Sequence, residues 1–221
     1  MRLCAPRFQR RIHSPWYRLA STALHSQGRN VSWPSWAYAR PMTLRRWTRI
    51  TTTVVHENPW WRYRKDTFEI EPGKRGEYHY ASTPGSALVV PVTAEGKLLL
   101  VEQYRYLADR FSLEFPCGGV AEGESPASAA SRELTEESGY IGVLEPIGSF
   151  NPWNGVTDET CHVYRGQQLT RSKAAVHADE TESFLVHELD IATFEARIAD
   201  GSVWDGMTLA AYALHRVRCS G

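Results

Sequence analysis

A chain of 221 residues with 25 basic and 25 acidic side chains carries a formal net charge of +0, a balance that excludes a dedicated nucleic-acid or membrane-surface binder. No apolar run approaches the roughly 18 residues of a membrane-spanning helix. The four cysteines (Cys4, Cys117, Cys161, Cys219) show neither CxxC nor framework spacing, so they read as reduced thiols of a cytosol-like compartment.

Residues 1–44 differ from the rest. They hold Arg2, Arg7, Arg10, Arg11, Arg18, Arg29 and Arg40, whereas the first acid of the chain is Glu57. Such a segment fits a mitochondrial transit peptide, or translated upstream sequence ahead of a start at Met42, the preferred reading. Either way it is expected to be poorly ordered and to carry no catalysis. Residues 45–84 then read as a small β-subdomain. TTTVVHENPWWRYRKDTFEI is rich in β-branched and aromatic residues and is broken at Asn58-Pro59. EPGKRG (71–76) is a turn and EYHYASTP (77–84) a further strand.

Residues 85–218 read as the main domain. SALVVPV (86–92) and KLLLVEQYRY (97–106) are nearly continuous apolar runs, expected as strands buried on both faces and joined as a short hairpin through Ala94-Glu95-Gly96. LEFPCGG (113–119) is a short strand feeding a glycine turn. Beyond the central helix come LEPIGSF (144–150), the loop NPWNGVTDE (151–159), CHVYRGQQL (161–169), a polar loop RSKAAVHADETE (171–182) and SFLVHEL (183–189). Two helices close the chain, 191–201 and roughly 205–218, the latter with Leu209, Ala210, Ala213, Leu214 and Val217 expected on its buried side. The whole reads as a mixed sheet with helices on both faces.

The stretch GGVAEGESPASAASRELTEESGY (118–140) carries the chemistry. Ser125 is an N-cap, Pro126 suits the first helical position, and Gly139 suits a left-handed C-terminal residue, leaving a helix over 126–138. At about 100° per residue, Glu133, Glu136 and Glu137 share an arc of roughly 100°. Ala127, Ala130 and Leu134 form the neighbouring apolar stripe. Three carboxylates on one face repel. Arg132, to one side, is placed to pair with one of them, so a bound divalent cation is the economical counter-charge. Cys117, beside the glycine turn, has no neighbouring histidine in sequence and reads as a packing residue, not a nucleophile.

The spacing is Gly118, five residues, Glu124, seven residues, then Arg132-Glu133-Leu134-x-Glu136-Glu137-x-Gly139-Tyr140. It resembles the Nudix box at all its fixed positions, with Tyr140 an aromatic in the last, usually aliphatic, place. Together with YRYLADRFSLEFPCGG before it, and NPWNGVTDE and DETES after it, the chain resembles the ADP-ribose and ADP-sugar pyrophosphatase branch of the Nudix hydrolases over roughly residues 50–218. The resemblance implies an α/β/α sandwich of mixed α+β class and a homodimer whose N-terminal β-subdomain contributes across the interface. It also implies Mg²⁺-dependent hydrolysis, with Mn²⁺ a substitute, of a nucleoside diphosphate linked to another moiety. No nucleic-acid or membrane partner is implied.

Carried over position by position, the resemblance makes Glu133 and Glu137 the main metal ligands, with Glu136 assisting and the Cys117 carbonyl adding a backbone oxygen. Arg132 orients the glutamates, Arg105 sits near the substrate phosphates, and Glu114 is structural or supports the metal from behind. The glutamate that activates water from a loop aligns with Glu182, with Glu180 two residues before it. Trp153 is left with two readings, stacking on a base or sugar, or packing in the core. The proline usual in ADP-ribose-specific members has no counterpart at its spacing, the nearest being Pro152. Other readings of the same box are a nucleotide-pool sanitiser acting on modified triphosphates and a non-catalytic nucleotide sensor; the intact glutamate set speaks against the sensor.

Overall fold

The computed structural model describes residues 44–172 and 183–219. The expectations for residues 1–43, and those resting on Glu180 and Glu182, lie outside the described residues.

The chain runs β1 (Thr48–Glu57), β2 (Arg62–Glu71), β3 (Lys74–Ser82), β4 (Ser86–Pro91), β5 (Leu98–Arg105), β6 (Arg110–Glu114), β7 (Cys117–Gly119), α1 (Pro126–Ser138), β8 (Tyr140–Phe150), β9 (Cys161–Arg171), β10 (Leu185–Leu189), α2 (Ile191–Ala199) and α3 (Gly206–Cys219). The strands form three sheets, ordered β1-β2-β3, β10-β5-β6 and β7-β4-β9-β8. In the last, β4 and β9 are parallel while β7 and β8 pair antiparallel, so the sheet is mixed.

Strand β4 explains the layering. All six of its residues are buried. Because a strand alternates its side chains, Leu88 and Val90 enter one core with Phe115, Phe194 and Tyr212. Ala87 and Val89 enter another with Ala129, Ala130 and Leu134 of α1. One strand therefore serves two cores, with α1 on one face and residues of α2 and α3 on the other.

The hairpin expected between the two apolar runs does not form. β4 pairs with β7 and β9, and β5 pairs with β10 and β6; a lone bridge between Val92 and Leu98 joins them. Each run is apolar on both faces because each is flanked by strands of its own sheet, and the Thr93–Lys97 turn carries the chain from one to the other. LEFPCGG likewise divides into the end of β6 and β7 at Phe115-Pro116, as a proline without an N–H demands.

The N-terminal strands form a sheet of their own. The Pro72-Gly73 turn, with Gly73 at φ +80°, closes the β2–β3 hairpin. Gly76 leaves room for Phe68, whose Cζ would lie 2.6 Å from an added Cβ. The 151–159 loop fastens this sheet to the rest. Tyr78 Oη donates to the Gly155 carbonyl at 2.8 Å, the Ala81 N–H to the Val156 carbonyl at 2.9 Å, and Ser82 Oγ to Asp158 Oδ2 at 2.8 Å.

In both terminal layers the buried helix stripe differs from the expected one. On α1, Ala127 is exposed and Ala129 is buried in its place, along with Glu133, Leu134, Glu137 and Ser138. On α3 the buried residues are Thr208, Ala211, Tyr212 and His215, while Val217 is exposed. Two of these polar groups are bonded on the inner face: Thr208 Oγ1 accepts the Phe115 N–H at 3.2 Å, and Tyr212 Oη donates to Glu195 at 2.7 Å.

Candidate active site

The glycine turn and α1 are set by their caps. Ser125 Oγ accepts the Ser128 N–H at 3.1 Å, Pro126 opens the helix, and Gly139 ends it at φ +71°. The first carboxylate of the motif, Glu124, stays with the turn. It accepts the Ala121 N–H at 3.0 Å and the Arg132 Nε–H and Nη2–H, each at 3.1 Å.

Arg132 reaches more than the single carboxylate expected of it. Besides Glu124, its Nη1 donates to Glu133 Oε1 at 2.6 Å and to Glu136 Oε2 at 3.1 Å, and Nη2 donates to the Gly119 carbonyl at 2.9 Å. The five donors of a guanidinium permit this, whereas a single helix-face estimate of i,i+4 reach does not include a partner on the preceding turn. The bonds to Glu124, then those to Glu133, hold the Arg132 pKa above its ordinary value, and Arg132 holds Glu124 below its own.

Gly118 is required by close approach. A Cβ there would lie 2.0 Å from Glu133 Oε1, a carboxylate already fixed by Arg132. Glu137, also buried, accepts the Cys117 N–H at 3.0 Å. Strand β7 and α1 are thus joined through two glutamates. The thiol of Cys117 is free; its hydrogen bond with Cys161, then its burial, push its pKa up, which opposes a nucleophilic role.

Among the described residues, no three acidic, histidine or cysteine side chains stand in a ready metal-binding group. Glu133 and Glu136 are turned toward Arg132, and Glu137 toward a backbone N–H. The donor set nevertheless suits a hard ion: it is carboxylate oxygen throughout, with two of the three carboxylates buried. The approach at Gly118 keeps a side chain from filling the space beside Glu133.

Arg105 and Glu114 form a second pair. Arg105 Nε donates to Glu114 Oε1 at 2.8 Å, Nη2 bonds the other oxygen, and the carboxylate is only 3% exposed. This bidentate bond is the first cause of the raised Arg105 pKa. Glu114 therefore meets Arg105, not the α1 glutamates.

A cavity of about 1050 Å³ opens beside the turn, lined by Arg105, Cys117–Glu124, Ser86, Glu159 and Met207, and across from these by Glu57–Arg62 and Arg64. Strand β2 thus lines a cavity of its own chain. Trp60 and Trp61 stand on this wall, 77% and 41% exposed, their backbone N–H groups both donated to Asn58 Oδ1 at 3.0 and 2.8 Å. Sequence reasoning treated this segment as a plain strand. The usable signal was Arg62 and Arg64 at period two after a tryptophan pair, which puts both guanidiniums on one face. Trp153 is 65% exposed and outside the cavity lining, so the packing reading for it fails.

A mixed sheet with helices on both faces presents a glycine turn and a helix whose carboxylates are gathered by one arginine. Residues 83–203 match the NUDIX domain. The chain is 33% identical to an ADP-ribose pyrophosphatase of Bacillus subtilis over 66% of this chain and 78% of that protein. It is 32% identical to a methanol dehydrogenase activator of Bacillus methanolicus over 66% of this chain and 80% of the other. A solved structure described as an ADP compounds hydrolase superposes with a TM-score of 0.69 at 21% identity, covering 80% of this chain and 96% of that one, a likeness of fold. The chain belongs to the Nudix family and is a pyrophosphate-hydrolysing enzyme.

Proposed function

We propose that this Nudix enzyme cleaves the pyrophosphate of a nucleoside diphosphate linked to a second moiety, with ADP-ribose or an ADP-sugar as the leading substrate, giving NMP and a sugar phosphate. The observation that carries this reading is the juxtaposition of the Arg132-gathered carboxylates with a cavity that Arg105 and two tryptophans line. The similarity to an ADP-ribose pyrophosphatase points the same way.

In this reading Glu133 and Glu137 hold Mg²⁺, or Mn²⁺ in its place, Glu136 assists, and the Cys117 carbonyl supplies a backbone oxygen. The ion supplies neutralisation of phosphate charge and acidification of water. Arg132 orients Glu133 and Glu136. Arg105, fixed by Glu114, presents its remaining N–H groups to a phosphate oxygen. Glu182 takes the proton of the attacking water as the anhydride P–O bond breaks, Glu180 being the alternative. Stacking on the base or sugar falls to Trp60 and Trp61, which line the cavity, in preference to Trp153. Residues 45–84 act as the recognition sheet and residues 85–218 as the hydrolase domain.

The same reading includes a homodimer. Tyr106, Leu107, Phe111 and Leu185 are exposed large apolar side chains on or beside the β10-β5-β6 sheet, a concentration that suits a protein contact. Among the described residues no helix is long and apolar enough to cross a membrane, and the three described thiols are free, which suits a cytoplasmic site of action.

The test is a panel of ADP-ribose, ADP-glucose, GDP-mannose, NADH, diadenosine polyphosphates and 8-oxo-dGTP with Mg²⁺, products resolved by chromatography. Hydrolysis of ADP-ribose or ADP-glucose to AMP is expected; turnover confined to 8-oxo-dGTP overturns the substrate class. On the best substrate, Glu182→Gln should lower kcat by roughly 10²–10⁴-fold, with a much milder effect of Glu180→Gln.

A further inference from the structure

The cavity's guanidiniums are not equivalent. Arg105 is clamped by Glu114, and Arg62 is bonded through Nε to Glu57, a hydrogen bond first and a charge second that raise its pKa. Arg64 Nε is buried and has no hydrogen-bond partner, and no described residue forms an ion pair with this guanidinium. A desolvated donor without an acceptor is costly, and such groups in native proteins call for an explanation. Nearby carboxylates do not supply one. Asp66, two residues along the same face of β2, is within 3.7 Å of Arg49 Nη1 and 3.4 Å of the Tyr80 hydroxyl. Glu57 is taken by Arg62, and Glu159 accepts the Ser86 hydroxyl at 2.6 Å.

The position of Arg64 on β2 is also fixed. It pairs in register with Tyr80 on β3 and Val54 on β1, and Tyr80 is buried. Arg64 is therefore a held cation on a cavity wall, with fork geometry suited to phosphate or carboxylate. The scissile diphosphate already has its own counter-charges in Arg105 and the ion proposed at the α1 glutamates.

From these contacts we propose that Arg64 is a specificity-determining residue that binds a second anionic group of the substrate, a phosphate or carboxylate separate from the scissile diphosphate. The preferred substrates are then nucleoside diphosphates carrying such a group, on either the nucleoside or the linked moiety. The inference rests on the proposed pyrophosphatase reading and narrows it.

Matched pairs test it: ADP-ribose against 2′-phospho-ADP-ribose places the extra anion on the nucleoside side, and ADP-glucose against ADP-glucuronate places it on the far side. Wild-type enzyme should favour the charged member of one pair by about 10–100-fold in kcat/KM, the range of a charge-assisted hydrogen bond. Arg64→Gln should abolish that preference while changing kcat/KM for the uncharged member by less than about threefold. Arg64→Lys should keep part of it, since charge remains and the fork is lost. The pair that responds identifies the side. Equal loss on both members of both pairs overturns the proposal and assigns Arg64 to the scissile diphosphate; no change on any member overturns it outright. Calorimetric binding of the four compounds to metal-free enzyme repeats the comparison without turnover, so failure to hydrolyse any of them counts against the pyrophosphatase reading alone. In that arm, wild type and Arg64→Gln binding all four alike overturns the role of Arg64. The melting temperature of Arg64→Gln should not fall, because no bond to the protein is removed.

Discussion

The two walls of the cavity are built on opposite principles. On the α1 side the carboxylates are held by donors of the chain itself: Arg132 holds Glu124, Glu133 and Glu136, and the Cys117 N–H holds Glu137. On the β2 side the sheet stands largely exposed, two tryptophans face outward, and Arg64 Nε has no partner among the described residues. Side chains fixed from several directions suit chemistry, which depends on placement to within about an ångström. A wall with unused donors and open aromatic faces suits recognition, where the ligand completes the bonding.

Glu137→Gln tests the first wall most severely. It keeps the shape and can still accept the Cys117 N–H, but removes a charge from a hard-ion site, so kcat should fall by about 10²-fold or more. The melting temperature should hold, because relieving carboxylate repulsion costs the metal-free helix nothing. Wild-type turnover in this variant would sink the metal assignment and with it the contrast between the walls.

Gly118→Ala comes next. The added methyl meets the Glu133 carboxylate, a side-chain end that could move cheaply were it not held by Arg132. A displacement of that size should cost about 10²-fold in activity with little loss of stability, because the three atoms nearest the added methyl are the end of a side chain. A drop in melting temperature equal to that of a core mutation, with activity retained, would show that Gly118 serves packing alone.

On the second wall, Trp61→Ala and Trp60→Ala should raise KM by about 10-fold, with kcat changed less than threefold, as loss of a stacking contact predicts. A fall in kcat at unchanged KM would move these residues to the chemical side of the comparison.

The difference between the walls also marks what sequence could reveal. The cap residues Ser125, Pro126 and Gly139 and the box spacing are local, so α1 was legible to the residue. Burial on both faces of the two apolar runs was legible as well, but not that β4 and β5 belong to different sheets, since strand partners 75 or more positions apart leave no local mark. For the same reason the reach of Arg132 back to Glu124 and Gly119, the bonding of Glu114 to Arg105, and the cavity wall formed by β2 appear only in three dimensions. Amphipathic period misjudged α1 and α3 because Glu133, Glu137, Thr208 and His215 are buried with partners or at a cost that a hydrophobic count does not register.

His215 supplies the smallest and most discriminating measurement. Like Arg64 it has a buried nitrogen, Nδ1, without a hydrogen-bond partner, but it faces the α3 core rather than the ligand cavity. Burial first, then the charges of Arg165 and Arg216, lower its pKa below 6.5, with the Tyr212 ring alongside. The folded state therefore favours neutral imidazole, while the unfolded chain takes up a proton near 6.5. Above that pH both states are neutral and the contribution to stability is fully present. As pH falls below it, the unfolded state gains protons first and stability is lost until the folded-state pKa is passed. The melting temperature should drop between pH 7.5 and 5.5, and His215→Leu should remove about 1–3 °C of that drop without altering the kcat/KM profile. Arg64→Gln should leave the thermal profile unchanged and alter substrate preference. An orphan nitrogen on a ligand wall then acts on specificity, and one in the core acts on stability; the same thermal slope in His215→Leu and wild type would break that division.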